Sequence, residues 1–442
     1  MAIKAATDIT EAIRVCRPDE PLEPGDSRYQ DFSQIRGMAL DKRIGRRLES
    51  YTSGGEYAYI ALAGHRGCGK STELYCVKKW AEAQGYLTIY TRVDQELDPF
   101  DVDYPDLLLL VARLIESEFR ARNWPLDAKT LEYIRNWFKE VTNIQDKELE
   151  ASIGVSGQVG AEIPIFAKLM IALTSGIRAG GKSKTEIRET VQRYPKALVD
   201  NINLLLDTAY ATLREKKQRG LLLIFDNMDR YQPEIADQLL LKSADILRGI
   251  HCHVIYTVPI SLIYAPIGDS VRERFALEIL PMIKVRKRNG DDCEEGIDAM
   301  TQALQKRLDV ETLFEDKTLA RELAKMSGGC IRDLMHLTQE ALLVSDQQVS
   351  RQAVERAAQT VRSQFSREIG INQYSLLARV HLNKTVANDA EHRQLLFRRD
   401  VLEYNYTEDR WADVHPLVLG IREFQDALKE EKRKLGLSSP SP

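Results

Sequence analysis

No cysteine in this chain has a partner at metal-ligand spacing. Cys16, Cys68, Cys76, Cys252, Cys293 and Cys330 are scattered, with no C-x-x-C pair or Cys/His cluster at zinc spacing. That excludes a zinc finger or ribbon and points to free thiols in a reduced, cytoplasmic setting. Long apolar runs are also missing. The most apolar stretch, residues 163–177, is interrupted by Lys168 and falls short of the roughly 20 residues a membrane span needs. The opening MAIKAATDITEAIRV lacks the apolar core of a secretory signal, so no membrane role is expected. Positive charge is not in excess: the net charge is −4, and no global basic field draws the chain to nucleic acid or anionic lipid. There is no internal repeat and no N-K-x-D guanine-reading motif.

What is present is an ordinary globular composition, 43% hydrophobic and 29% charged over 442 residues, enough for two to four domains on a prior of about 100–200 residues each. Helical spacing predicts short helices over 9–15 and 39–48, separated by a Pro/Asp/Gly loop at 18–25. An apolar run at 57–63 reads as a buried strand, 71–83 as a helix and 87–93 as a second strand. Helices are expected over 106–120, 126–141 and 194–214, while the Gly/Ser-rich 153–184 reads as a loop or hairpin. The aliphatic run 220–225 reads as a central parallel strand covered on both faces, and 253–257 and 276–285 as further strands. Helical patterns return at 296–308, 317–326 and 331–343. Two more, at 374–382 and 387–396, precede strands at 401–406 and 410–414. The charged, then Ser/Pro-rich, residues 429–442 are expected to lack structure.

Gly64-His65-Arg66-Gly67-Cys68-Gly69-Lys70-Ser71 fits G-x-x-x-x-G-K-[ST] in full, between an expected strand and an expected helix. Glycines let backbone N–H groups turn onto phosphates. Lys70 meets the β- and γ-phosphates, Ser71 offers its hydroxyl to Mg²⁺, and the following helix, with Thr72 in its first turn, aims its positive end at the anion. Cys68 reads as a small filler of the loop. The second half is Asp226 at the tip of Leu221-Leu222-Leu223-Ile224-Phe225, where a buried acid is costly unless it serves a cation; its expected role is to hold Mg²⁺ with Ser71.

Five segments carry a resemblance to the AAA+ and related signal-transducing (STAND) ATPases, in the branch of origin-recognition-like and KAP-like proteins. Gln34-Ile35-Arg36-Gly37-Met38-Ala39 resembles their adenine-flanking box, with Arg36 as its cation, and the P-loop is the second segment. Asp226-Asn227-Met228-Asp229-Arg230 resembles their acidic strand end. Val254-Ile255-Tyr256-Thr257-Val258-Pro259 is similar to the sensor-1 strand, which would make Thr257 a γ-phosphate sensor. Ser327-Gly328-Gly329-Cys330-Ile331-Arg332-Asp333-Leu334 is similar to the sensor-2 helix, which would put Arg332 near the γ-phosphate. By the same resemblance Arg274, with Arg272, stands where an arginine finger would reach a neighbouring subunit. The family's general base is the acid after the first strand-end Asp, but here Asn227 stands there and cannot accept a proton at neutral pH. Asp229 is the candidate replacement, or turnover is slow. Met326-Ser327-Gly328-Gly329-Cys330 superficially resembles the signature of transporter ATPases, but it lies after the acidic strand instead of before it.

The expected fold is therefore α/β: a three-layer P-loop NTPase core around a parallel sheet, with a helical insert and lid and a C-terminal winged-helix-like domain. The expected division is an N-terminal segment at 1–50, the core at 51–290 with its insert at about 94–217, the lid at 291–346, the winged-helix-like domain at 347–428 and a tail at 429–442. The expected function is an ATP- and Mg²⁺-dependent ATPase, a homo-oligomerising switch that signals to a partner protein. DNA association through the C-terminal domain is the alternative, with Arg398 and Arg399 as phosphate contacts.

Overall fold

The computed structural model describes residues 5–142, 164–265, 269–404 and 410–437. Strands β1 (Tyr59–Gly64), β2 (Tyr86–Arg92), β3 (Gly220–Asp226), β4 (His253–Pro259) and β5 (Ala276–Ile279) form one sheet in the order β2-β3-β4-β1-β5. Every neighbouring pair is parallel. Along β3, Leu221, Leu223 and Phe225 join one buried apolar cluster, while Leu222 and Ile224 join another. β1 divides in the same way, Ala61 and Ala63 against Ile60 and Leu62. Successive strand side chains point to opposite faces, so both faces are covered and the strands read as unbroken aliphatic runs. Helices Leu40–Ser53 and Lys70–Ala83 cover one face; Tyr104–Ala121 and Pro195–Glu215 cover the other. Each fully buried leucine in this arrangement contributes about 1.5–3 kcal/mol.

Register decides what the sheet presents. Arg92 pairs with Asp226, and Gly64 with Pro259, so the ends of β1, β2, β3 and β4 emerge together at the carboxyl edge, where open α/β sheets bind ligands.

Three expectations give way. Residues 164–184 form helices, Ile165–Ala179 and the start of Gly181–Gln192, and not a loop or hairpin; residues 153–163 lie outside the described set. Phe166, Leu169, Met170, Leu173 and Ile177 form a buried stripe at helical spacing, and this packing outweighs the local glycines. The last strand is Ala276–Ile279 and not 276–285, because Pro281 has no N–H to continue a ladder. The tail is helical as far as Lys434 within Arg422–Lys434; residues 438–442 lie outside the described set.

The lid region comprises Glu294–Gln305, Thr318–Met326 and Ile331–Leu343, followed by Arg351–Glu368. The N-terminal helix Ile9–Val15 packs on Ile331–Leu343, and Gln339 Nε2 donates to the Ile13 carbonyl at 2.9 Å. At the C-terminal end, helices Gln373–Asn383 and Ala390–Arg398 precede an antiparallel pair, β6 (Val401–Tyr404) and β7 (Trp411–Val414). Helix Arg422–Lys434 then packs against Gln373–Asn383. Among the described residues no helix is long and apolar enough to cross a membrane.

Candidate functional site

The loop after β1 turns back on itself through Gly67 (φ 80°) and Gly69 (φ 101°), left-handed conformations that favour glycine. A Cβ on Gly67 would also lie 2.6 Å from Arg332 Cβ and 2.8 Å from Cys330 Sγ, because the lid helix packs directly on the loop. Lys70 opens the next helix, and its ammonium is buried. Nζ donates to the carbonyls of Gly64 and His65, each at 2.8 Å, and pairs with Asp229 Oδ2 at 2.8 Å. Burial pulls the Lys70 pKa down, but Asp229 more than offsets this and it ends above its ordinary value. Burial pushes the Asp229 carboxyl up; Lys70, with Arg332 and Arg66 beyond it, outweighs burial and holds it below the usual carboxylate range. Asp229 is thus a weak proton acceptor, which counts against it as a substitute general base.

Asp226 accepts from the Tyr90 hydroxyl at 2.5 Å and from the Asn227 N–H at 2.8 Å, and Ser71 bonds to the same carboxyl. Burial, then Asp229, raises its pKa, so its charged form gains from a cation. Ser71 and Asp226 therefore fit Mg²⁺, which takes one or two protein oxygens and fills its other positions from phosphates and water. Among the described residues no cluster of three His, Cys, Asp or Glu side chains would hold a metal by itself.

Lys70, Ser71 and Asp229 open into one pocket, while Asp226 lies buried behind Ser71 and does not line it. Apolar lining comes from Leu22, Phe32, Ile331 and Met335, and cationic lining from Arg66, Lys70, Arg92, Arg230 and Arg332. A pocket combining both suits a nucleoside carrying several phosphates.

The other expected residues divide. Arg36 lines the pocket and braces the loop: Nη2 donates to the Cys68 carbonyl at 2.5 Å and Nη1 pairs with Glu73 at 2.9 Å. Cys68 is buried. The Thr72 hydroxyl accepts from the Leu22 N–H at 3.2 Å, tying residues 17–22 across the pocket mouth. Arg332 lines the pocket and pairs with Asp19 of that strap at 3.1 Å. His65 points away: its buried ring accepts from the Glu403 N–H at 2.8 Å. Burial, then the charges of Lys70 and Arg399, lower its pKa to about 3. Thr257 does not reach the pocket either. Its hydroxyl accepts from the Met228 N–H at 3.0 Å and donates to the Phe225 carbonyl at 3.4 Å, so it shapes the turn that carries Asn227 and Asp229. Arg274 pairs with Asp245 outside this pocket and Arg272 is exposed; neither serves the pocket of its own chain. Arg398 and Arg399 are not free phosphate contacts. Arg398 pairs with Asp400 at 2.8 Å and Arg399 with Asp333 at 3.0 Å.

Sequence reasoning missed the strap 17–22, which looked like a plain loop, and Arg92 and Arg230, whose only signal was their place next to strand ends. It also missed how the C-terminal region meets the site. Tyr404 donates to the Gly328 carbonyl at 2.8 Å, His415 lies 3.3 Å from Asp333, and Arg66 stacks 5.9 Å from the Phe397 ring centroid.

A P-loop strand set one strand away from the acidic strand, with the Thr257 strand between them and a helical lid against the loop, defines a P-loop nucleotide-binding α/β fold. No family model matches the chain, and no curated protein matches it. Among solved structures it is similar to the Aeropyrum pernix Orc1 protein in complex with DNA (13% identity, TM-score 0.41, 96% of this chain and 98% of that one). It is also similar to Cdc6p from Pyrobaculum aerophilum (13%, 0.39, 95% and 98%) and to the RuvB Holliday junction branch migration motor of Thermotoga maritima (13%, 0.35, 94% and 99%). At that depth of likeness the fold rests on the strand order and the loop geometry alone.

Proposed function

We propose that the chain binds ATP with Mg²⁺ and hydrolyses it slowly, as a cytoplasmic AAA+/STAND-like switch that assembles with copies of itself and signals to a partner protein. The observation that carries this reading is the convergence of Lys70, Ser71 and Arg332 on a pocket that also has apolar walls, with Asp226 bonded to Ser71 behind it. In it Lys70 and Arg332 would meet the phosphates, and Ser71 with Asp226 would hold Mg²⁺, which would supply positive charge against them. Leu22, Phe32 and Met335 shelter the base and exclude water. Arg274 and Arg272, outside their own pocket, are then candidates to complete a neighbour's. The C-terminal region supports a switch, since it bonds to His65 of the P-loop and to Asp333 beside Arg332. The DNA reading keeps the C-terminal helices but loses its contact candidates to internal ion pairs.

The test is nucleotide binding and turnover by the purified chain beside Lys70→Ala, with molar mass by light scattering in ATP and in ADP. Loss of binding or turnover in the variant, with larger mass in ATP, supports the reading. A chain that ignores ATP and stays monomeric in every nucleotide state ends it. Salt-sensitive DNA binding would instead favour the second reading.

A further inference from the structure

Asn227 stands where the resemblance expects an acid, and its backbone and side chain are both specified. It adopts φ 66° and ψ 13°, a left-handed conformation that asparagine tolerates better than most side chains. Its N–H is held by Asp226 Oδ1. Its amide Nδ2 donates to Asp94 Oδ1 at 2.8 Å. Asp94 stands two residues past the end of β2, in the short helix Val93–Glu96, and its other oxygen pairs with Arg230 Nη1 at 3.0 Å. A carboxylate only accepts, so it selects the NH₂ side of the amide. The carbonyl Oδ1 of Asn227 is therefore the atom turned away from Asp94, and Asn227 lines the same pocket as Lys70, Ser71 and Arg332.

Of the three carboxylates at these strand ends, Asp229 is neutralised by Lys70 and Asp226 is bonded to Ser71 and Tyr90. Asp94 stands behind Asn227 and Arg230, its side chain 11% exposed. Each of these strand-end carboxylates is thus already engaged, and beside them in the pocket lies a carbonyl acceptor with a fixed orientation.

We propose that Asn227 orients the attacking water through its Oδ1, and that Asp94 is a positioning residue that locks the amide in that orientation. The proposal rests on the ATPase reading above. Phosphoryl transfer passes through a loose transition state in which placement of the water matters more than early removal of its proton. The water oxygen bonds to the γ-phosphorus, and the bond from that phosphorus to the β–γ bridging oxygen breaks, its electron pair leaving on ADP. One water proton passes to a γ-phosphate oxygen, so the products are ADP and dihydrogen phosphate.

The test measures ATP affinity, thermal stability, single-turnover rate and the pH–rate profile for wild type, Asn227→Ala, Asp94→Ala and Asp94→Asn. In Asn227→Ala the rate should fall about 10- to 100-fold, while ATP affinity stays within about threefold. Asp94→Ala should fall in the same direction by less, since the freed amide can present either end. Wild type and Asp94→Asn should share one pH–rate profile shape between pH 6 and 9. An unchanged rate in Asn227→Ala overturns the proposal. So does an acid limb present in wild type and absent from Asp94→Asn, which would make Asp94 the proton acceptor. Wild type that binds ATP without turning it over also overturns the proposal, whereas wild type that does not bind ATP removes the ATPase reading beneath it.

Discussion

Glu403 places one carboxyl in the seam between the C-terminal hairpin and the core, bonded to the Tyr264 hydroxyl. Burial raises its pKa to about 7, with Tyr264 and Arg410 pulling against it. Its folded pKa lies above its unfolded one, so the folded state is favoured at low pH and loses that advantage as pH rises toward 7. Glu403→Gln removes this titration. Relative to wild type, the variant should gain stability between about pH 4.5 and 7, reaching about 3 kcal/mol above that window, as read from denaturant midpoints at several pH values. An equal difference at pH 4 and pH 8 would refute the burial argument. Gly67 makes an opposite demand. Gly67→Ala would have to push Cβ into Arg332 and Cys330 at a left-handed φ, so it should lower both the melting temperature and ATP affinity. Some residues announced themselves: Lys70 and Ser71 by motif, and Asp226 by ending a buried run. Thr257 and His65 did not, because each hydrogen-bonds a segment that the sequence places far away.

Among elements, β3 was legible because a strand covered on both faces has only aliphatic choices. Leu223→Ala removes a side chain buried between the sheet and its helices and should cost about 2–5 kcal/mol, measured by urea denaturation; a cost below 0.5 kcal/mol would mean that the face is not packed as described. Ile165–Ala179 was misread because glycines near its end outweighed an apolar stripe that only a tertiary partner rewards. The strap at 17–22 was illegible in function, since its role depends on one backbone bond to Thr72 and on Asp19 reaching Arg332. Asp19→Ala should therefore change nucleotide affinity with little effect on melting temperature, as followed by titration calorimetry beside a thermal melt.

For the whole molecule, a ligand that binds only the folded chain stabilises it by about 2.7 kcal/mol at one hundred times its Kd. Mg²⁺·ATP should therefore raise the melting temperature of wild type by several degrees and leave Lys70→Ala nearly unmoved. The parallel sheet and the position of the phosphate loop could be read ahead of the structure because they follow from hydrophobic runs and one motif. The seating of the C-terminal helices and hairpin could not, since it depends on Arg393 reaching Asp237 and the Ser261 carbonyl and on side chains meeting across more than three hundred positions of sequence.

Arg332 and Asp333 are adjacent in one helical turn, yet they belong to different neighbourhoods. Arg332 faces the pocket; Asp333 is buried against Arg399 and His415. A helical turn does not let one neighbour travel while the other stays, so any displacement of Arg332 would carry Asp333 and its contacts with it. If a bound phosphate drew that turn inward, the free energy involved would also be felt at the far seam, and by reciprocity a grip on the C-terminal end would return the same amount to the phosphate.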